Sequence, residues 1–207
     1  MCAAERRRLT IRSSGPPRIG TVSSCIFVAA ATYLKRWAPM GQFCETCGKM
    51  HENWPPDLGF QRPDAIWELP PPERGRRAQE GNDLCILDGE RYFIRAVLKV
   101  PLLALGTDWG LGLWVEVSEV DFRRYHDLYD VDATIEPGFE GTIANALKAF
   151  PDAIGRVVEV RLGSSSQRPT LVFGAGASGR FAEAQRLGLT GEAFHAAVGI
   201  ERPSWLQ

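Results

Sequence analysis

The sequence predicts an α+β domain: an antiparallel β-meander sheet with flanking helices, preceded by a Cys-x-x-Cys segment resembling a zinc knuckle. Three observations carry this. Asp88-Gly89 lies between two apolar runs, Leu84–Leu87 and Tyr92–Val100, the signature of a β-hairpin. Gly112–Val117 supplies a third strand, and Ser118 then opens a helix in which Phe122, Tyr125, Leu128 and Tyr129 recur at helical spacing. Cys44-Glu45-Thr46-Cys47-Gly48, followed by His51, brings two thiols and an imidazole within reach of one ion.

Composition narrows the class. The chain has 207 residues, of which 44% are hydrophobic and 24% charged, enough to build a real core. A net charge of -1 argues against a protein whose work is neutralising phosphate backbones. The arginine clusters Arg6-Arg7-Arg8 and Arg74-Gly75-Arg76-Arg77 read as solvated faces. The five cysteines are odd in number and scattered, unlike a secreted disulfide framework. Reduced thiols or a metal fit better, so a cytoplasmic location is expected. No apolar run approaches the roughly 18 residues that a membrane-spanning helix needs. Neither nucleic acid nor membrane is expected as a partner.

Taken in order, residues 1–39 read as a disordered or mis-assigned extension. A basic start, the turn-forming run Ser13–Pro17 and the apolar patch Cys25–Ala31 do not form a pattern with the rest of the chain. Met40 is the expected start, and residues 40–207 the single zinc-stapled domain. After the cysteine pair, prolines at 55, 56, 63 and 70–72 prevent long regular structure, because each removes a backbone donor and restricts its predecessor. Trp54, Phe60, Ile66, Trp67 and Leu69 pin that wrap to a core, and a short helix runs from the prolines through Glu73 to Gln79.

In the second hairpin strand Tyr92, Ile94, Ala96, Leu98 and Val100 share one face, and Phe93, Arg95, Val97 and Lys99 the other. Pro101 ends the regular pairing and Thr107-Asp108 turns the chain. Ser118 caps its helix with Asp121 at the capping-box position. Residues 139–150 fit strand or helix. Val157–Leu162 and Pro169–Phe173 read as strands joined by the polar loop 163–167. Helices follow over 180–187 and, capped by Thr190, through Val198.

The cysteine pair is the strongest chemical signal. Zinc takes thiolate and imidazole ligands in a tetrahedron, and Gly48 tolerates the left-handed backbone a knuckle demands. Cys85, on the first hairpin strand, is the expected fourth ligand, which gives a closed, structural site of Cys44, Cys47, His51 and Cys85. As alternatives, Cys85 is a small buried hydrophobe, and Asp83, Asp57 or Glu52 supplies an oxygen. Other constellations are weaker. There is no nucleophile elbow and no phosphate loop. Gly174, Gly176 and Gly179 have dinucleotide-fingerprint spacing, but no parallel βαβ unit follows, so a loop is expected. His126 and His195, isolated on helices, read as surface or satisfied core histidines. Arg95 interrupts an apolar strand face and needs a partner. Glu116 or Asp83 on a neighbouring strand is expected to supply it, as an ion pair in preference to an anion site.

Phe43-Cys44-x-x-Cys47-Gly48-x-x-His51, then Pro56-Asp57 and Phe60-x-x-Pro63, Asp83-Leu84-Cys85, Tyr92-Phe93-Ile94-Arg95 and Gly112-x-Trp114-Val115-x-x-Ser118, together resemble an uncharacterised bacterial family, "domain of unknown function 2199". The resemblance spans about residues 41 to 198, most densely Phe43 to Phe122. It implies one domain beginning just before the cysteine pair and a site shared by that pair with Cys85, and it carries no activity. The first 39 residues fall outside the pattern, and Ala96 stands where a glycine is expected.

The function expected is a non-enzymatic cytoplasmic binding or interaction module, with another protein as the partner class considered. Two alternatives stand beside it. One is a zinc-dependent hydrolase with a metal-bound water, Cys44, Cys47 and His51 as ligands and Glu52 as base. The other is a thiol redox sensor forming a Cys44–Cys47 disulfide. The fourth ligand discriminates, because a closed tetrahedron has no place for water.

Overall fold

The computed structural model describes residues 42–51 and 58–199. The predicted extension 1–39, Met40, Glu52, Trp54 and Asp57 lie outside them. The first described element is a small hairpin, β1 (Gln42–Cys44) against β2 (Lys49–His51), antiparallel with Cys44 opposite Lys49. The cysteine pair forms its turn. Gly48 N–H donates to Cys44 O at 2.7 Å, and Gly48 adopts φ 66°, which costs little only without a Cβ.

Next comes the proline-rich wrap: β3 (Leu58–Gly59), α1 (Asp64–Trp67) and α2 (Pro71–Arg77), then β4 (Ala78–Glu80). The expected helix to Gln79 stops earlier because residues 78–80 pair as an edge strand. The wrap is anchored by polar groups as well as by Ile66. Asn145, fully buried, accepts from Trp114 N–H at 2.8 Å and donates to Arg62 O and Asp64 Oδ1. Asp64 Oδ2 accepts from Ala146 N–H, and Trp114 Nε1 donates to Phe60 O. A buried amide with these partners satisfied fixes the wrap on the sheet with little desolvation loss.

The hairpin over Asp88-Gly89 is present as β5 (Leu84–Leu87) and β6 (Arg91–Leu102), with both turn residues at positive φ. β6 then pairs along its whole length with β7 (Thr107–Val117), which starts earlier than the sequence suggested because the chain turns at 103–106, closing on Gly106. Ser118 caps α3 (Glu119–Asp127), accepting from Asp121 N–H at 3.0 Å. The ambiguous stretch resolves as β8 (Phe139–Ile143), followed by β9 (Val157–Arg161), β10 (Thr170–Val172), α4 (Arg180–Leu187) and α5 (Gly191–Ala197).

The sheet is not the simple meander expected. β6 through β10 pair in sequence, each antiparallel to the one before, and β10 then pairs with β6 in parallel, Thr170 opposite Val97 and Leu171 opposite Leu98. These five strands form a closed barrel. An up-and-down series with an odd number of strands leaves the first and last pointing the same way, so closure requires one parallel seam. β6 is long enough to hold β5 on one half of this edge and β10 on the other.

As in other small barrels, side chains fill the interior. Ile94, Ala96, Leu98 and Val100 of β6 meet Leu111, Leu113 and Val115 of β7, with Ile143, Val158, Val160 and Leu171 from the remaining strands. Gly141 of β8 leaves the space that Val115, Val117 and Val160 occupy. A second cluster on the other face of β5–β7 holds Ile66, Cys85, Leu87, Phe93 and Trp114. No helix among the described residues is long and apolar enough to cross a membrane.

Candidate metal centre

Cys44, Cys47 and His51 come from the β1–β2 hairpin, whose length of one knuckle turn puts all three on its inner side. The fourth member of the group is His195, from α5. One donor atom from each residue lies within 4.8 Å of every other. Cys44 Sγ and His195 Nε2 are 3.2 Å apart, Cys47 Sγ and His51 Nε2 3.0 Å, and the two imidazole centroids 5.8 Å. A tetrahedron with the usual zinc–sulfur and zinc–nitrogen bond lengths has edges of about 3.3–3.8 Å, so the donors are spaced to take an ion with small adjustments.

Local structure prepares each donor. α5 is started by Thr190, whose hydroxyl accepts from Ala193 N–H. Phe194 is buried edge-on against Trp109 at 5.0 Å, which fixes the rotation of the helix and turns His195 toward the knuckle. His195 Nδ1 lies 2.5 Å from Gly191 O. That bond assigns the proton to Nδ1 and leaves the Nε2 lone pair facing the sulfurs, the orientation a metal-binding imidazole needs. Thr46, between the two cysteines, packs directly on Gly191, where no Cβ could fit.

The environment is dry. Cys47 is 1% exposed and His195 5%. Burial is the main cause that pushes the Cys47 thiol up, and Cys44 adds to it, offset by a backbone hydrogen bond from Lys49. Burial first, then the neighbouring His195 and Lys49, push the His51 imidazole below its ordinary range, which favours its neutral form. Both trends reflect the cost of placing charge in an apolar site. A bound cation reverses the balance for the thiols.

Cys85, expected as the fourth ligand, is elsewhere. It stands opposite Phe93 in the β5–β6 register, so its side chain shares the face of Phe93 and Trp114 and packs in the second apolar cluster. Burial pushes its thiol up to about 11. The buried-hydrophobe alternative describes it. His195 takes the place given to Cys85, against its expected role as an ordinary surface or core histidine. His126 is exposed beside Asp127.

The expected Arg95 ion pair is also not formed. Glu116 is held by Arg91 through two bonds of 2.9 and 2.7 Å. Asp83 accepts from Arg168 Nε at 2.6 Å and from the Tyr129 hydroxyl at 2.8 Å. Glu116 stands opposite Phe93 and so lies diagonal to Arg91, which reaches it with both guanidinium nitrogens. Arg95 turns the other way, its Nη2 lying over Gly59 and Gly112 where β3 meets β7. The glycine-rich stretch 174–179 is a turn into α4. There the Asp152 carboxylate faces Phe181 N–H at 3.5 Å, in the position a phosphate would need.

A family model described as an uncharacterized protein conserved in bacteria, domain of unknown function 2199, matches residues 43–189. That segment contains Cys44, Cys47 and His51 and stops short of His195. No curated protein and no solved structure matches the chain.

Proposed function

The chain belongs to the uncharacterised bacterial family of domain of unknown function 2199, and from its own donor set we propose a non-enzymatic binding module stapled by one structural zinc ion. One observation carries this reading: two sulfurs and two imidazole nitrogens, from segments as far apart as Cys44 and His195, converge within 4.8 Å. Two thiolates with two imidazoles are the donor set zinc prefers, while harder ions prefer oxygen. Four protein donors complete a tetrahedron and leave no position for an activated water, which favours a structural ion over a hydrolytic one. The ion ties the knuckle to α5, so its binding free energy is folding free energy for both.

Elemental analysis of the full-length chain, purified without chelator, tests this. The expected result is about one zinc per chain, lost in Cys47→Ala and in His195→Ala but kept in Cys85→Ala. Full zinc content in His195→Ala, or a melting temperature unmoved by a strong chelator, overturns it.

A further inference from the structure

A polar cleft of about 450 Å³ opens on the barrel surface, within the size range of small-molecule sites. It shares no residue with the metal cluster, and the inference drawn from it is independent of that reading. β6 contributes Val97 and Lys99, α3 contributes Tyr125 and Tyr129, and the loop after β9 contributes Ser165, Ser166 and Arg168. Donors dominate this lining. Its one carboxylate, Asp83, is 12% exposed at the side chain and is already engaged on both oxygens.

The way Asp83 is engaged is informative. It takes Arg168 through Nε alone, and the Tyr129 hydroxyl holds its other oxygen. The guanidinium is thereby oriented, while Nη1 and Nη2 donate to no described residue and remain as a fork. Lys99 forms no ion pair among the described residues and brings a second positive charge to the same cleft. A planar fork flanked by an ammonium and hydroxyls matches an oxyanion. The donors number more than a carboxylate can accept: two from Arg168, those of Lys99, and the hydroxyls of Ser165, Ser166 and Thr170. Three phosphate oxygens can use them all. The cavity exceeds what a bare phosphate fills, and the edge-on pair Tyr125–Tyr129, with centroids 5.8 Å apart, walls the remainder.

We propose that this cleft binds a small phosphomonoester, its phosphate held by Arg168, Lys99 and the serine hydroxyls, with Asp83 and Tyr129 as positioning residues for the arginine fork. The test is calorimetric titration of the full chain at fixed ionic strength with AMP, ribose 5-phosphate, inorganic phosphate and acetate. Saturable binding of at least one phosphomonoester is expected, tighter than inorganic phosphate and at least about tenfold tighter than acetate. Arg168→Lys, which keeps the charge but loses the fork, and Arg168→Gln weaken it about tenfold or more. Where either variant fails to fold, Lys99→Gln on the same cleft carries the test, with a loss of about fivefold.

Asp83→Asn separates positioning from bulk charge. Removing a negative charge alone tightens anion binding, whereas releasing the fork weakens it, and weakening is expected. The proposal is overturned by no saturable binding of either phosphomonoester, or by acetate binding as tightly as they do. Binding unchanged in the folded Arg168 or Lys99 variants, or tightened in Asp83→Asn, overturns it as well.

Discussion

Cys85 and Cys47 carry the same thiol, each 1% exposed, and differ in their neighbours. Cys85 sees Ile66, Leu87, Phe93 and Trp114; Cys47 sees another sulfur and an imidazole. Cys85 should therefore resist alkylation at pH 8 in the folded chain, and its ionisation should affect stability only in alkali. Its thiol rises from 9.0 unfolded to about 11 folded. Above pH 9 the unfolded chain sheds this proton while the folded one keeps it, so stability falls from pH 9 to pH 11, by about 2–3 kcal/mol from this group. Denaturant melts across that range should show a shallower decline in Cys85→Ala, a variant about 1–2 kcal/mol less stable at neutral pH from lost burial. That Cys44, Cys47 and His51 would gather was legible because their spacing is local. Cys85 misled because the pattern Leu-Cys-Ile-Leu fits either face of a strand, and only pairing with Phe93 decides which. His195 was hidden by distance along the chain, although α5 reads Gly-Glu-Ala-Phe-His-Ala-Ala, one imidazole among small residues that permit close approach.

Among elements, α5 shows how little backbone is needed to bring an imidazole to the cysteine pair. It has seven residues, too few to persist alone, so its stability comes from the Thr190 cap, the Trp109–Phe194 contact and the knuckle seated on Gly191. Gly191→Ala tests the last of these. The helix itself should tolerate alanine, which favours helix by about 1 kcal/mol over glycine. The new methyl must displace Thr46, moving both cysteines from His195. Elemental analysis should find zinc reduced by about half or more, with far-ultraviolet circular dichroism unchanged. The double variant Thr46→Gly with Gly191→Ala should recover it. α4 uses a different anchor: the Gln185 amide accepts from Phe173 N–H and donates to Leu171 O, both at 2.8 Å, imitating a strand at the end of β10, beyond its two-pair seam with β6. The β5–β6 hairpin, α3 and the strand character of β9 and β10 were readable because turn, cap and alternation signals are local. β8 was not, since Phe139–Ile143 is short and contains Gly141.

At the scale of the molecule, barrel closure was the least legible feature. The seam joining β10 to β6 comprises two residue pairs, 73 positions apart in sequence, and no local pattern announces such a pairing. Hydrogen exchange can separate the barrel from the staple. After chelation, protection should vanish first over 42–51 and 190–197, while β6 and β7, paired along their full length, keep theirs. Simultaneous loss throughout the chain would instead make the ion part of one cooperative unit with the barrel.

The wide separation of Cys44 and His195, 151 positions, has a further consequence for how the protein is made. During synthesis the knuckle leaves the ribosome first and the helix that completes it among the last described elements. If the proposed ion binds before then, the knuckle alone offers it Cys44, Cys47 and His51. On the proposed zinc reading, the donor set is complete only once His195 has been made, and a fragment released before it offers three of the four donors.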